Sequence, residues 1–159
     1  ERGNYDVTRF ERKERESIVS TIDLAFGLFG GGFNCAQSVV GALADKEEAK
    51  LALRLASGFG GGMRCGEVCG AVTGAVMVIG LREGQCVAND LEAKRRTAQL
   101  TSEFMETYAK RKGTLLCRDL LGYDVRDIEA REKYAADKRE VCEGAIRTAI
   151  VILKEMGIE

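Results

Sequence analysis

The chain has 159 residues, of which 45% are hydrophobic and 31% are charged, and this composition is ordinary for one globular domain. Its formal net charge of −1 gives no electrostatic basis for binding nucleic acid. The sequence contains no histidine, which removes Cys–His and Ser–His catalytic pairs, imidazole metal ligands and CxxCH haem attachment.

The first residues differ in character from the rest of the chain. Residues 1–16 are highly charged, and we interpret them as a lead-in to a single domain over residues 17–159. From Ser17 onward, apolar residues recur at helical spacing until the glycines at 30–32 end the pattern. No segment alternates with the period that marks a strand, so we predict an all-α fold, a bundle of about six or seven helices.

Local signals set the limits of several helices. Asn34 is a typical N-cap, which places Cys35 at the start of a helix. Residues 46–56 have amphipathic helical spacing, and Asn89 is the expected cap of a long polar helix. The remaining predicted helical segments are a short turn at 114–121 and the final helices at 127–136 and 138–156.

The most continuous apolar run spans residues 68–81 and is rich in small residues. It is too short to cross a bilayer, so we predict no membrane insertion and a buried central helix. Gly66, Gly70 and Gly74 recur at helical spacing, which would give this helix a smooth face for the close approach of a neighbour. The same face would suit a second copy of the chain, so we also consider a homodimer.

Four of the six cysteines lie on apolar faces of predicted helices. Cys35 and Cys142 each head an apolar stripe, Cys117 precedes a leucine pair and Cys69 begins the buried helix. Cys35, Cys69 and Cys142 also fall in or near the first turn of a predicted helix, where free N–H groups and the helix dipole favour a thiolate. We expect all four thiols to point inward, either as a reactive or ligating set or as ordinary core cysteines.

Two cysteines fall outside this set. Cys65 ends the segment FGGGMRC at 59–65, which is similar to FGGGFNC at 29–35, and it lies shortly before Cys69. This C-x3-C spacing would place both thiols on one face if the turn were helical, but it is neither a thioredoxin-type CxxC nor a zinc-knuckle pair. We assign Cys65 an auxiliary role and interpret Cys86, in a polar loop, as an incidental surface thiol.

These motifs together resemble the C_GCAxxG_C_C family of bacterial and archaeal proteins, which are described as redox-active. The resemblance rests on GFNCAQSVV (32–40), GFGGGMRCGEVCGAVTGAVMVIGL (58–81), the cysteine before the leucine pair and the cysteine in EVCEGA. It covers most of the chain, and the CGAVTGA block is its most specific part. The resemblance implies four family cysteines, which carry over to Cys35, Cys69, Cys117 and Cys142. A similar domain is associated with an iron–sulfur centre in certain multidomain cytochromes, so the resemblance also favours a cluster.

Three hypotheses on function follow. The first is an electron-transfer protein in which Cys35, Cys69, Cys117 and Cys142 bind an iron–sulfur cluster of the [2Fe–2S] type, which accepts an all-cysteine ligand set. The second is a metal-free thiol–disulfide protein, with Cys35 and Cys69 or Cys65 and Cys69 as the working pair. The third is a helical accessory module whose cysteines only pack in the core. Zinc is less suitable, because zinc modules usually take their ligands from close CxxC pairs.

Other classes of function find little support. The segment GFGGGMRCG lacks the GK[ST] of a P-loop and follows no predicted strand, so we predict no nucleotide site. No substrate is identifiable and the question of enzymatic activity stays open, because Glu67 at a helix start is more typical of a dipole partner than of a general acid. We expect a redox partner protein of unknown identity and, from several cysteines without a visible signal peptide, a cytoplasmic location.

Overall fold

The computed structural model describes residues 7–159, with side chains from Glu16 onward, and the predicted all-α class is confirmed for this part of the chain. The α-helices are α1 Val7–Gly30, α2 Cys35–Leu43, α3 Lys46–Ala56, α4 Gly70–Glu83, α5 Leu91–Lys112, α6 Cys117–Leu121, α7 Ile128–Lys133 and α8 Ala135–Glu155. A π-helical turn, Gly62–Gly66, precedes α4. Two of the helices, α6 and α7, are only 5 and 6 residues long, and they bring the number in the described residues above the six or seven predicted.

The helix limits agree with the sequence patterns in part. Helix α3 spans Lys46–Ala56 as predicted. Helix α1 begins at Val7, so it includes part of the charged segment 1–16, of which residues 1–6 lie outside the described residues. The cap of α5 is Asp90 and not Asn89, because the Asp90 carboxylate accepts a hydrogen bond from the Ala93 N–H.

Small residues let α2 and α4 pack with their backbones in contact. A Cβ atom at Gly74 would lie 2.7 Å from the carbonyl oxygen of Ala36, and one at Gly70 would lie 3.1 Å from the Ala36 nitrogen. The predicted smooth face therefore exists, and it lies against α2 of the same chain. Gly66 is not part of this face, because it lies in the turn before α4 with a φ of +74°.

The core lies where α1, α5 and α8 cover this central pair. Its largest fully buried side chains include Tyr108 and Phe104 of α5 and Ile146 and Ile150 of α8. Burial of such side chains supplies most of the driving force for folding, at about 25 cal/mol per Å² of apolar surface. Within the part of the chain that the structure describes, no helix combines the length and the apolar character that crossing a bilayer requires.

The two glycine-rich segments, 29–35 and 59–65, lie against each other, and the Asn34 side chain makes the contact between them. Asn34 caps α2 by accepting from the Gln37 N–H at 2.9 Å, and the Gln37 side chain accepts from the Asn34 N–H at 3.0 Å. The Asn34 amide donates to the Ser57 carbonyl at 3.0 Å, at the end of α3. A Cβ at Gly60 would lie 2.7 Å from the Asn34 Cβ, so only glycine allows this approach. The contact places the start of α2 beside the turn that leads into α4.

A single antiparallel bridge, Val68 to Leu116, joins the segments that precede α4 and α6. The Cys69 N–H donates to the Leu115 carbonyl at 2.8 Å, and the Cys117 N–H donates to the Glu67 carbonyl at 2.7 Å. Side chains alternate between the two faces of such a pair, so Cys69 and Cys117 lie on the face opposite to Val68 and Leu116. The bridge therefore brings the starts of α4 and α6 to one place.

Candidate functional site

A cavity of about 180 Å³ lies between α2, α4, α6 and α8, and four cysteines line it. All four are buried, with exposed fractions of 4–8%, and all six cysteines of the chain are free thiols. Apolar side chains and glycines provide most of the remaining lining. The lining cysteines are Cys35, Cys69, Cys117 and Cys142.

Each cysteine enters the cavity from a different helix. Cys35 is the first residue of α2, Cys69 is the N-cap of α4, and Cys117 is the first residue of α6. Cys142 lies well inside α8, which begins at Ala135, so the prediction that it occupies a first helical turn is wrong. The helix extends beyond the predicted start at Lys138, because Asp137 lies within its first turn and does not cap it. Tertiary packing therefore brings the four predicted site residues together.

The Cys35 and Cys142 thiols are coupled to each other. The pKa of Cys142 lies below its usual value, chiefly because the Cys35 side chain hydrogen-bonds to it and also because of the positive charge on Lys138. The pKa of Cys35 lies well above its usual value, first because of the same hydrogen bond, then because of burial and the charges of the other cysteines. Cys142 is therefore the member of the pair that ionises first, and the Cys35 thiol stabilises its thiolate form by donating to it.

Burial disfavours the ionised forms of Cys69 and Cys117. Burial raises the pKa of Cys69, although the N–H groups of Ala71 and Val72 at the start of α4 lower it. Burial also raises the pKa of Cys117 to about 12, against the opposing effect of Lys138. The expectation that helix starts would lower the pKa of Cys35 and Cys69 is therefore wrong. At Cys69 the cost of burying a charge exceeds the contribution of the helix N-terminus, and at Cys35 the hydrogen bond with Cys142 is the first cause of the raised pKa and burial the second.

Two tyrosines that the sequence analysis did not identify lie beside these thiols. The hydroxyls of Tyr108 and Tyr123 are buried, and neither has a hydrogen-bond partner of normal geometry among the described residues. Tyr108 lies close enough to Cys69 to lower the pKa of that thiol by stabilising its thiolate form. Burial is the largest cause of the raised pKa of Tyr123, and the charges of Cys142 and Cys117 raise it further. Buried hydroxyls without partners are uncommon, so both point to an acceptor that charged sulfur would provide.

The two remaining cysteines do not line the cavity. The Cys65 Sγ donates to the Gly62 carbonyl at 3.3 Å within the π-helical turn, and non-helical residues separate it from α4. Cys65 and Cys69 therefore do not share a helical face. Cys86 is exposed, as predicted. Glu67 forms an ion pair with Arg118 and does not line the cavity.

The cysteine set suits some metal centres better than others. No three Cys, Asp or Glu side chains in the described part of the chain are arranged so that they could hold a metal ion. A single zinc ion, which needs its ligands around one point, does not fit this arrangement. A [2Fe–2S] cluster takes two thiolates on each of its irons, so its ligands do not meet at one point. The donor chemistry fits a cluster, since four thiols line one cavity.

Comparison with protein-family models identifies a match that covers most of the chain. Residues 33–156 match the model described as "Putative redox-active protein (C_GCAxxG_C_C)", and this range contains all four lining cysteines. The chain belongs to the C_GCAxxG_C_C family. Neither the curated proteins nor the solved structures contain a match. The membership in the C_GCAxxG_C_C family confirms the resemblance described above, and it assigns a redox-active character without naming a cofactor.

Proposed function

We propose that this protein is an electron-transfer protein in which Cys35, Cys69, Cys117 and Cys142 hold a [2Fe–2S] cluster. The observation that carries the proposal is that four buried thiols, from four different helices, line one cavity. Core cysteines that only pack would have no reason to converge from so many elements. We also propose a cytoplasmic location, which is supported by six free thiols, since a reducing compartment preserves them.

The residues of the chain would have distinct roles around such a centre. Cys35, Cys69, Cys117 and Cys142 would be the ligands, and a bound cluster would supply a one-electron couple. Tyr108 would donate its hydroxyl hydrogen to the sulfur of Cys69, and Lys138 would offset the negative charge of the thiolates. The apolar lining would keep water away from the sulfurs. Hydrogen bonds to sulfur and solvent exclusion are known determinants of cluster potential.

A second candidate, metal-free thiol–disulfide redox, is favoured by one specific observation. Cys35 and Cys142 have opposite pKa shifts that arise from the hydrogen bond between them. A thiolate beside a thiol is the arrangement that disulfide exchange uses. Oxidation of this pair would form one disulfide and release two electrons and two protons to an oxidised acceptor disulfide, which would become two thiols.

Anaerobic purification separates the two candidates. We expect a brown protein with broad visible absorbance that bleaches on reduction, and about two irons per chain. A colourless, iron-free protein that gains a reducible Cys35–Cys142 disulfide would support the second candidate. A colourless protein whose buried thiols stay inert to oxidants would contradict both.

Serine variants assign the ligands. Each of Cys35→Ser, Cys69→Ser, Cys117→Ser and Cys142→Ser should lose the visible spectrum and most of the iron. Cys86→Ser is the matched control, because Cys86 is exposed and outside the cavity, and it should keep both. In the dithiol case, only Cys35→Ser and Cys142→Ser should prevent disulfide formation. Retention of the spectrum in Cys69→Ser would exclude that residue as a ligand.

A further inference from the structure

The cavity has a charge pattern that its cysteines do not explain. Among the described side chains that line it, Arg64 and Lys138 alone carry a full charge, and none is an Asp or Glu. Both cations are exposed residues. Within the described residues, neither forms an ion pair or a side-chain hydrogen bond. Two cations without an ion-pair partner in the described part of the chain therefore flank the opening of a mostly apolar cavity.

An unusual backbone segment holds Arg64 at this opening. Gly61, Gly62, Met63 and Arg64 all have positive φ, at 63°, 58°, 55° and 62°. A left-handed residue other than glycine costs about 1–2 kcal/mol. Strain of this kind persists where the surrounding structure enforces it, and it is concentrated at functional sites.

The left-handed turn Gly61–Arg64 is enforced by close packing and sets the direction of one side chain. A Cβ at Gly62 would overlap the Glu67 carbonyl oxygen, so the chain has no room to relax there. The Arg64 Nη1 lies 3.9 Å from the Cβ position of Gly61, which itself lines the cavity. The guanidinium group is thus folded back over the rim of the cavity.

Lys138 provides the second charge from another element. It lies on α8 one helical turn before Cys142, and it lines the cavity beside that thiol. The two cations therefore approach the opening from the turn before α4 and from α8. Charges at the mouth of a low-dielectric cleft focus the field and raise the local concentration of ions of opposite sign.

We propose that the opening between Arg64 and Lys138 binds the carboxylate or other oxyanion group of a small redox substrate, which lies at the mouth of the cysteine cavity. The inference rests on the redox function proposed above for this cavity and names its substrate class. A small molecule is favoured over an acidic protein surface, because the cavity holds only about 180 Å³ and the acidic Asp137 lies next to Lys138 in the chain. If the two cations only balanced thiolate charge, the opening would show no preference for anions.

The test compares two alkylating reagents of nearly equal size, anionic iodoacetate and neutral iodoacetamide, on the reduced protein as purified. Rates are followed at each cysteine by peptide mass spectrometry, and exposed Cys86 corrects for the intrinsic difference between the reagents. We expect the iodoacetate-to-iodoacetamide rate ratio at Cys142 to exceed that at Cys86 by about tenfold or more. A ratio at Cys142 equal to that at Cys86 would overturn the proposal.

Matched variants locate the effect. Arg64→Gln should reduce the ratio at Cys142 several-fold. Arg95→Gln changes the net charge equally but lies on α5, outside the lining of this cavity, and should leave the ratio unchanged. Equal effects of the two variants on the ratio at Cys142 would indicate the electrostatic field of the whole protein and would contradict an anion site at the opening.

If the purified protein contains iron, its ligand thiols do not alkylate, and two outer-sphere oxidants of opposite charge replace the alkylating reagents. Arg64→Gln should slow oxidation by hexacyanoferrate(III) and accelerate oxidation by hexaammineruthenium(III), whereas Arg95→Gln should do neither. Unchanged rates in Arg64→Gln would overturn the anion site. A protein without iron and without an oxidisable thiol pair would count against the redox function, and its alkylation ratio would still decide the anion site.

Discussion

Cys35 and Cys142 shift the pKa values of each other in opposite directions. Cys35 opens α2 and Cys142 lies within α8, and the hydrogen bond between their side chains lowers the pKa of Cys142 while it raises the pKa of Cys35. Because one proton is shared between two sulfurs, the loss of either thiol changes the reactivity of the other.

This coupling predicts how Cys142 responds to substitution of its neighbour. In the metal-free reduced protein, Cys35→Ala removes the donor, so the pKa of Cys142 should rise and its alkylation by iodoacetamide at neutral pH should slow. The measurement is the pH profile of alkylation at Cys142, whose midpoint should move upward. Cys35→Ser keeps a donor and should move the midpoint less. An unchanged midpoint in Cys35→Ala would contradict the hydrogen bond as the main cause.

The Tyr108 hydroxyl should tune the centre without stabilising the fold. Tyr108→Phe removes a buried hydroxyl that has no partner of normal geometry among the described residues, so we expect a change in unfolding free energy below about 1 kcal/mol. It should also raise the pKa of Cys69 and lower the reduction potential of a bound cluster, because a donor to sulfur is lost. Tyr134→Phe, at a partly exposed ring, is the control. A loss of several kcal/mol with an unchanged potential would assign Tyr108 a structural role only.

Two glycines of α4 should respond differently to the same substitution. Gly74→Ala places a Cβ 2.7 Å from the Ala36 carbonyl oxygen, so it should destabilise the protein by about 1–3 kcal/mol and displace Cys35 at the start of α2. Gly80→Ala meets nothing within 4 Å and should stabilise by up to about 1 kcal/mol through helix propensity. Urea unfolding of both variants measures the difference. Equal stabilities would show that α2 and α4 are not in backbone contact.

The left-handed turn Gly61–Arg64 predicts a stabilising substitution. Met63 has a φ of 55° and a side chain that is 45% exposed, so Met63→Gly removes strain with little loss of packing. We expect the free energy of unfolding to increase by up to about 1 kcal/mol. This is the strain of a left-handed residue other than glycine, less the greater loss of conformational entropy that glycine undergoes on folding. Met63→Ala keeps the strain and should show no gain. A less stable Met63→Gly would indicate that this residue is not strained.

The raised pKa of Cys117 predicts a loss of stability at alkaline pH. This thiol ionises near pH 12 in the folded protein and near about 8.5 in an unfolded chain, so the folded state binds the extra proton between these values. The contribution of the Cys117 thiol to stability is complete below the pKa of the unfolded state and is lost as the pH rises toward the pKa of the folded state. The free energy of unfolding then falls by at most about 1.4 kcal/mol per pH unit.

Cys117→Ala tests this dependence in the metal-free reduced protein. Urea unfolding at neutral pH and near about pH 10.5 should show a smaller loss of stability in the variant than in the wild type. Cys86→Ala, at an exposed thiol, should keep the wild-type loss. Parallel pH dependences of Cys117→Ala and wild type would contradict the burial of this thiol in the fold.

Features of the fold that are set by residues close together in the sequence were predictable from the chain alone. The Asn34 cap and the limits of α3 follow from signals within a few residues, and both are confirmed. The inward direction of the four site cysteines followed from helical periodicity, and all four are buried. The first-turn position of Cys142 was wrong because the start of α8 lacks a strong local signal.

The protonation states of the site could not be predicted in this way. A helix start suggests a thiolate at Cys69, but the raised pKa comes from burial, which depends on the complete packing around α4. The lowered pKa lies instead at Cys142, because Cys35 from a distant part of the chain hydrogen-bonds to it. Arg64, Lys138 and Tyr108 had no motif to mark them, since the first two gain a role from their position at the cavity and Tyr108 from its proximity to Cys69.

The sequence by itself therefore determined the helical class, the central small-residue segment, the family and the four inward cysteines, because periodicity, capping and motif spacing are local properties. Only the tertiary structure decided that these thiols share one cavity, which of them ionises, and that cations flank its opening. Distances between side chains far apart in the chain depend on the packing of whole helices, and burial and charge at a site depend on those distances.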